Sequence, residues 1–124
     1  IGKSAFEGCG FQDINIPSTV TTIDEYAFRA CKLVRVELPK GLQQLSGGVF
    51  SGCFSLEWVK LPPISDISYC MFDNCKRLEH VIFSDGIESI GRYAFGGCES
   101  LEQIELPSTL KSIGKFPQNK LKIR

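Results

Sequence analysis

Five phenylalanines recur along the chain at intervals of 22, 22, 22 and 23 residues: Phe6, Phe28, Phe50, Phe72 and Phe95. A cysteine follows each of them three residues later: Cys9, Cys31, Cys53, Cys75 and Cys98. A fixed period of this length is typical of solenoids, in which each repeat buries its apolar side only against its neighbours. The chain is therefore predicted to be a repeat array, with residues one period apart lying over one another.

Each repeat contains a segment in which apolar and polar residues alternate, which is the pattern of a short, half-buried strand. We predict these strands at residues 13–16, 35–38, 58–61, 80–83 and 103–106. In four repeats the strand is followed by a proline, whose missing N–H ends the ladder: Pro17, Pro39, Pro62 and Pro107. Stacked in the same direction, the strands should form a parallel sheet with about 4.8 Å between neighbours.

The other side of each coil carries a second short apolar alternation and then the segment A-F-x-G-C. That segment is too short for an average helix, so we expect one turn of α or 3₁₀ helix, with its Phe and Cys pointing inward. The fold class predicted is an α/β solenoid, with parallel strands on one side and short strands with helical turns on the other.

The length of 124 residues, with 43% hydrophobic and 23% charged residues, suits one globular domain. We predict a single domain over 1–124, with repeats at 1–22, 23–44, 45–66, 67–89 and 90–112. Residues 113–124 are expected to form a partial repeat or a C-terminal cap, in which Phe116 imitates the Phe column before Pro117 breaks the coil. Because Ile1 already occupies a repeat position, we expect a piece of a longer protein.

The formal net charge is zero, which argues against a general affinity for nucleic acid. The only basic segment is the tail from Lys111 onward, which holds five basic residues and no acid. An unstructured end is the favoured interpretation of this tail, and contact with an acidic surface is the alternative. No apolar run approaches the roughly 20 residues that span a bilayer, so we expect no membrane insertion.

The stretches IDEYAFRAC, IGRYAFGGC, LEQIELPSTL and INIPSTV resemble the leucine-rich repeats of the BspA type, also called the Treponema pallidum class. The likeness covers residues 1–114 in five tandem copies. It implies a right-handed solenoid with its parallel sheet on the concave side. It also implies surface or secreted proteins, of bacteria and some protists, that adhere to host proteins or other cells. The class shares no catalytic residues, so the resemblance implies neither an enzyme nor a cofactor.

Disulfide and metal sites are both disfavoured by the cysteine pattern. Five cysteines occupy one column with parallel Cβ vectors, which disulfide geometry does not allow, so we favour free, buried thiols. Cys70 lies outside that column, where a free thiol is favoured and a reactive one is the alternative. With no C-x-x-C and one histidine, a zinc site is disfavoured, and Ser-His-acid catalysis lacks an enclosed oxyanion site. Calcium could bridge the column Glu57, Glu79 and Glu102, although a solvated acidic edge is favoured.

Two columns of side chains are predicted to point outward from the concave sheet: Asp13, Arg35, Trp58, His80, Gln103 and Asn15, Glu37, Lys60, Ile82, Glu105. Aromatic and Arg side chains are enriched at binding hot spots, and a flat sheet with an exposed Trp and Ile is more easily explained by a partner than by folding. The partner-binding residues we predict are Arg35, Trp58, Lys60, His80 and Ile82. The alternative is that Trp58 folds down over the neighbouring strand or contacts another copy in a crystal.

The function favoured by these patterns is a non-enzymatic module that binds a protein or glycan, including host-derived ones, on the cell surface or after secretion. A structural spacer of a larger surface protein, with no ligand of its own, is the alternative, and an enzyme comes third. The open ends of a solenoid, near Phe6 and Phe116, also allow end-to-end self-association.

Overall fold

The computed structural model describes residues 1–114 and the backbone of the strand at 122–123, without the side chain of Gln103. Short strands recur through this part of the chain, two or three residues each. They are β1 Thr22–Ile23, β2 Arg35–Glu37, β3 Gln44–Leu45, β4 Trp58–Lys60, β5 Asp66–Ile67, β6 His80–Ile82, β7 Ser89–Ile90, β8 Gln103–Ile104, β9 Ser112–Ile113 and β10 Lys122–Ile123.

The strands pair in parallel, and nearly every pair joins positions one repeat apart. Strands β2, β4 and β6 form one three-stranded sheet, called sheet A here, in which Val36 lies beside Val59 and Val59 beside Val81. Strands β5, β7 and β9 form sheet B, while β1 pairs with β3 and β8 with β10. The fold is a parallel-strand β-solenoid, in which the core lies between the two sets of strands.

The predicted strands at 35–38, 58–61 and 80–83 are confirmed to within one residue, whereas the fifth is shorter, Gln103–Ile104. The first predicted strand, at 13–16, is wrong, because this segment is irregular. Asp13 and Asn15, which flank Ile14, belong to residue types that are depleted in strands. The segment is held to repeat two by bonds outside it, such as the one that Val34 N–H donates to the Gln12 carbonyl at 3.0 Å.

The predicted helical turn does not form in residues 1–114, and hydrogen-bonded turns take its place. In repeat two, the amides of Ala27, Arg29 and Cys31 each donate to a carbonyl three residues earlier. The amides between them donate instead to the next repeat: Tyr26 to Gly47, Phe28 to Val49 and Ala30 to Ser51, at 3.1, 3.0 and 2.9 Å. Every second amide therefore donates to a carbonyl outside its own segment, so a continuous series of helical hydrogen bonds cannot form. The architecture is consequently all-β in the described residues rather than α/β.

The turn segments place two columns of residues in the left-handed region of the Ramachandran plot. The first column is Ser4, Tyr26, Gly48, Cys70 and Tyr93, with φ from 53° to 64°. The second is Gly8, Ala30, Gly52, Asn74 and Gly97, with φ from 58° to 75°. Residues with a Cβ adopt this conformation at a cost, which explains why glycine dominates the second column.

The core is ordered around the phenylalanine column, whose rings stack face to face. Successive ring centroids lie 5.4, 5.8, 5.8 and 5.5 Å apart from Phe6 to Phe95, with interplanar angles of 3–16°. From Phe28 to Phe95 these side chains are fully buried, whereas Phe6 is 38% exposed. The in-register stacking predicted from the period is thus confirmed.

The cysteine column is tied to the phenylalanine column by hydrogen bonds. The thiols of Cys31, Cys53, Cys75 and Cys98 donate to the carbonyls of Phe6, Phe28, Phe50 and Phe72 at 2.9–3.2 Å. All six cysteines are free, and these four are buried. Burial raises the pKa of the Cys53 and Cys98 thiols to about 12, so they remain protonated donors.

The expectations about the C-terminal cap fall on Phe116 and Pro117, which lie outside the described residues, as does most of the basic tail. Within the described part of the chain, we find no helix with the length and apolar character that a bilayer span would require.

Candidate interaction surface

The five predicted contact residues come together on one face of sheet A. Parallel register places Arg35 beside Trp58 and Trp58 beside His80, and it places Lys60 beside Ile82. The side chains between them point into the core, where Val36 and Val59 are buried and Val81 is half-buried. Because strand side chains alternate between faces, all five project from the side opposite to the valines.

Trp58 is only half-exposed, because its neighbour covers part of the indole. The Arg35 guanidinium carbon lies 3.8 Å from the Trp58 ring centroid, which is a close cation–π stack. Such contacts contribute about 0.5–1 kcal/mol at exposed sites. Arg35 and Trp58 therefore form one composite surface, in which Arg35 of the neighbouring strand covers part of the indole.

Two further polar side chains of this face lie near acidic neighbours. Lys60 Nζ lies 3.7 Å from a Glu37 oxygen, and His80 Nε2 lies 3.9 Å from a Glu79 oxygen. These side chains are 45–66% exposed, and exposed pairs at such distances contribute about 0–1 kcal/mol, so they hold the side chains only loosely.

Ile82 lies at the edge of this charged group and is 42% exposed. Register makes it the diagonal neighbour of Trp58, so the two largest apolar side chains of this face lie close together. A small apolar patch therefore sits among charged residues.

A groove borders the same face where the strands end, and sequence reasoning missed it. It has a volume of about 730 Å³ and runs past Lys60 and Glu37 to the turns at Pro17, Pro39 and Pro63. A shallower hollow of about 300 Å³ continues past Ile82 to Pro107, with Ser84 lining both. The signal available in the sequence was the proline column, which was interpreted only as a strand stop.

Cys70 is half-buried and has a left-handed backbone, with φ of 53°. Burial, and then the Asp73 carboxylate, raise the pKa of its thiol. Reactive cysteines need the opposite, a stabilised thiolate, so its surroundings favour the unreactive thiol.

The acidic column does not form a metal cage in the part of the chain that the structure describes. No group of three His, Cys, Asp or Glu side chains lies close enough together there to hold an ion. Glu57 and Glu79 belong to successive repeats, and the Glu79 amide donates to the Glu57 carbonyl at 3.0 Å.

Stacked parallel strands, an in-register apolar ladder and a repeat of 22 or 23 residues together define a leucine-rich repeat solenoid. The family model for the BspA type leucine rich repeat region matches residues 1–120 in six copies. The chain belongs to this family of BspA-type leucine-rich repeat proteins.

Solved bacterial structures share the fold. A leucine-rich repeat protein from Eubacterium ventriosum is 19% identical, with a TM-score of 0.83 over 98% of this chain and 40% of its own. A leucine-rich repeat protein from Bacteroides ovatus is also 19% identical, with a TM-score of 0.59 over 88% of this chain and 37% of its own.

The leucine-rich repeat protein of T. pallidum is 25% identical, with a TM-score of 0.60 over 83% of this chain and 62% of its own. The chain thus spans less than two thirds of the length of each of these three structures. Among curated proteins, none matches the sequence.

Proposed function

We propose that residues 1–124 act as one non-enzymatic interaction domain that binds a protein or glycan, including host-derived ones, through the exposed face of sheet A. The contact residues are Arg35, Trp58, Lys60, His80 and Ile82. The observation that carries this proposal is the apolar patch of Trp58 and Ile82 on an otherwise charged face.

The chemistry of this face supports a contact role. Trp and Arg are the side chains that most often dominate binding energy, and here they are already stacked at 3.8 Å. A pre-stacked pair loses less conformational entropy on binding than two free side chains would. The groove of about 730 Å³ beside Lys60 gives a ligand a concave border to the flat sheet.

Membership of the BspA-type family supports a location on the cell surface or in the secreted fraction, and an adhesive role there. Self-association through the ends of the solenoid is a separate proposal, supported by the 38% exposure of Phe6 at the first repeat. Light scattering at several concentrations tests it, since an apparent mass independent of concentration contradicts end-to-end contact.

A structural spacer is the second candidate, and one observation favours it. Arg35 already covers Trp58, and Lys60 and His80 already have acidic neighbours, so much of the face is satisfied internally. A spacer would present this surface without a ligand of its own.

The experiment that separates the two candidates uses the double variant Trp58→Ala with Ile82→Ala. The purified chain is screened on arrays of extracellular proteins and of glycans, and each hit is measured by surface plasmon resonance. Loss of a Trp-centred hot spot should weaken capture by at least about 30-fold, which corresponds to roughly 2 kcal/mol. The unfolding temperature should change little, because both side chains are partly exposed.

Val59→Ala is the matched control, because Val59 lies in the same strand with its side chain buried on the opposite face. It should lower stability by about 1–3 kcal/mol and leave capture unchanged below its unfolding temperature. If the double variant loses folding in proportion to binding, Trp58 and Ile82 are structural residues. If the arrays yield no hit, the spacer is the better description.

A further inference from the structure

The second set of strands is interrupted at one place, between β3 and β5. Strand β3 pairs with β1, and β5 pairs with β7, but β3 and β5 belong to different sheets. In repeat three, Ile67 comes six positions after Leu61, whereas the equivalent interval in the other repeats, such as Leu38 to Leu45, is seven positions.

The missing residue changes the type of turn. In repeats one, two and five the proline carbonyl accepts from the amide three residues later, as Pro39 does from Leu42 at 3.2 Å. In repeat three the Pro62 carbonyl accepts from Ile64, only two residues later, at 2.9 Å. This is the bond of a γ-turn, which is one residue tighter than the β-turn it replaces.

The tighter turn displaces the start of β5 from its neighbour. In the adjacent repeats, two successive amides donate to one carbonyl: Gln43 and Gln44 to Thr21, and Glu88 and Ser89 to Ser65. At the interruption the corresponding amides of Ser65 and Asp66, and the Gln43 carbonyl, have no hydrogen-bond partner within the described residues.

At the next position of the interrupted ladder, a side-chain hydrogen bond replaces the backbone hydrogen bond. Elsewhere the amide at this position donates to the previous repeat, as Ser46 N–H does to the Ile23 carbonyl at 3.0 Å. Here the Ser68 hydroxyl, rather than its amide, donates to the Leu45 carbonyl at 2.9 Å. Normal pairing resumes further along, where the Gly48 amide donates to the Tyr69 carbonyl at 2.9 Å.

The interruption opens a small pocket on the protein surface. It has a volume of about 170 Å³ and is lined by the residues of the broken rung: Gln43, Gln44, Leu45, Ile64, Ser65, Asp66 and Ser68. Its walls offer unpaired backbone donors and an acceptor, two side-chain amides and the Asp66 carboxylate. Asp66 is held in place by hydrogen bonds from the Ser65 and Ser89 hydroxyls.

An exposed aromatic residue is the sequence neighbour of this pocket, although it is not one of the residues that line it. Tyr69 follows Ser68 directly and is 42% exposed. Its ring lies over Gly47, where an added Cβ would clash with the ring, and its hydroxyl donates to the Glu25 carboxylate. The orientation of the ring is therefore fixed by Gly47 and Glu25, while the residue remains partly exposed.

We propose that this pocket, with Tyr69 beside it, is a binding site for one neutral sugar unit. Each sugar hydroxyl both donates and accepts, which suits a wall of mixed amides, carbonyls and one carboxylate. The apolar face of a pyranose ring packs on an aromatic side chain. An anion would be opposed by Asp66, and a metal ion would not use the N–H donors. The volume is below the roughly 300 Å³ at which pockets for larger ligands begin, so a terminal sugar fits better than a chain.

The site is separate from the face of sheet A, so its test does not depend on the proposed function. The ¹⁵N-labelled chain is titrated with methyl glycosides of glucose, galactose, mannose and N-acetylglucosamine. We expect at least one of them to give saturable shifts at the amides of Ser65, Asp66 and Ser68, with a Kd near 1 mM, as suits few contacts. Shifts at the Trp58 indole instead would place sugar binding on sheet A and overturn this assignment.

Two variants make the test specific. Asp66→Asn should weaken binding by about tenfold, because a charge-assisted acceptor is lost, while Asp85→Asn, a carboxylate outside the pocket, should leave it unchanged. Insertion of a glycine after Pro63 restores the seven-residue spacing, with proline and glycine at the central positions of a β-turn. This variant should close the ladder and abolish binding without loss of stability.

Failure of all four glycosides to shift these amides would show that the pocket holds only water and would overturn the proposal, as would equal binding by the insertion variant. If the insertion variant does not fold, as judged by circular dichroism, the affinities of Asp66→Asn and Asp85→Asn for the glycosides test the proposed site instead. Equal affinities in those two variants would then reject the site.

Discussion

The phenylalanine column makes a quantitative prediction, because its members differ in burial but not in chemistry. Phe50 is fully buried and stacks on Phe28 and Phe72, each at 5.8 Å with interplanar angles of 8° and 3°. Removing a buried ring costs about 3–5 kcal/mol through lost transfer energy and the cavity that remains. We therefore expect Phe50→Ala to lower the free energy of unfolding by that amount.

Phe6→Ala is the matched control within the same column. Phe6 is 38% exposed and has one stacked neighbour, Phe28 at 5.4 Å, and one edge contact, Phe11 at 6.0 Å. Because Phe6 is more than a third exposed, removal of its ring should cost roughly half as much, about 1.5–2.5 kcal/mol. Phe50→Leu, which keeps most of the volume, should cost less than about 1.5 kcal/mol.

Urea denaturation at 25 °C, followed by circular dichroism and by Trp58 fluorescence, measures all three variants. Trp58 belongs to the same repeat as Phe50, so its fluorescence reports local loss of packing before the whole array unfolds. Equal costs for Phe50→Ala and Phe6→Ala would refute the nearest-neighbour reasoning. A Phe50→Ala cost below about 1 kcal/mol would contradict the buried stack itself.

Two further predictions concern backbone conformation and pH. Ala30 has a φ of 58°, which glycine adopts without strain, so Ala30→Gly should stabilise the fold by about 0.5–1 kcal/mol. The control Ala27→Gly, at a buried position, should destabilise the fold, and thermal unfolding compares the two variants. The pKa of Cys53 is raised to about 12, so its contribution to stability is complete below pH 9 and is lost as pH rises toward 12. Urea midpoints from pH 8 to pH 10 should fall less steeply in Cys53→Ala, and an unchanged slope would show that this thiol ionises equally in both states.

The repeat period alone was enough to predict the solenoid, the phenylalanine stack and the inward cysteines. These features follow from the sequence because the same residue type recurs at the same position in every repeat. Each repeat therefore independently indicates which side chains face the core. The strands Arg35–Glu37, Trp58–Lys60 and His80–Ile82 follow likewise from alternation.

The helical turn failed as a prediction because local patterns do not show where an amide donates. Only the structure shows that Phe28 donates to Val49 in the next repeat, which removes every second bond from a helix. The cover that Arg35 gives to Trp58 is also decided in three dimensions, since register makes the two adjacent but rotamers decide whether they stack.

The short turn of repeat three, at Pro62, Pro63 and Ile64, can be read from the sequence, but its effect on hydrogen bonding between the strands cannot. One missing residue turns a β-turn into a γ-turn and leaves the amides of Ser65 and Asp66 without the partners that their counterparts have in the neighbouring repeats, because hydrogen bonding depends on sub-ångström placement of two chains. The sequence by itself determined which residues stack and which face the core, through periodicity. Tertiary structure alone decided where the ladder breaks and which surface groups remain free, because these depend on contacts between repeats rather than within them.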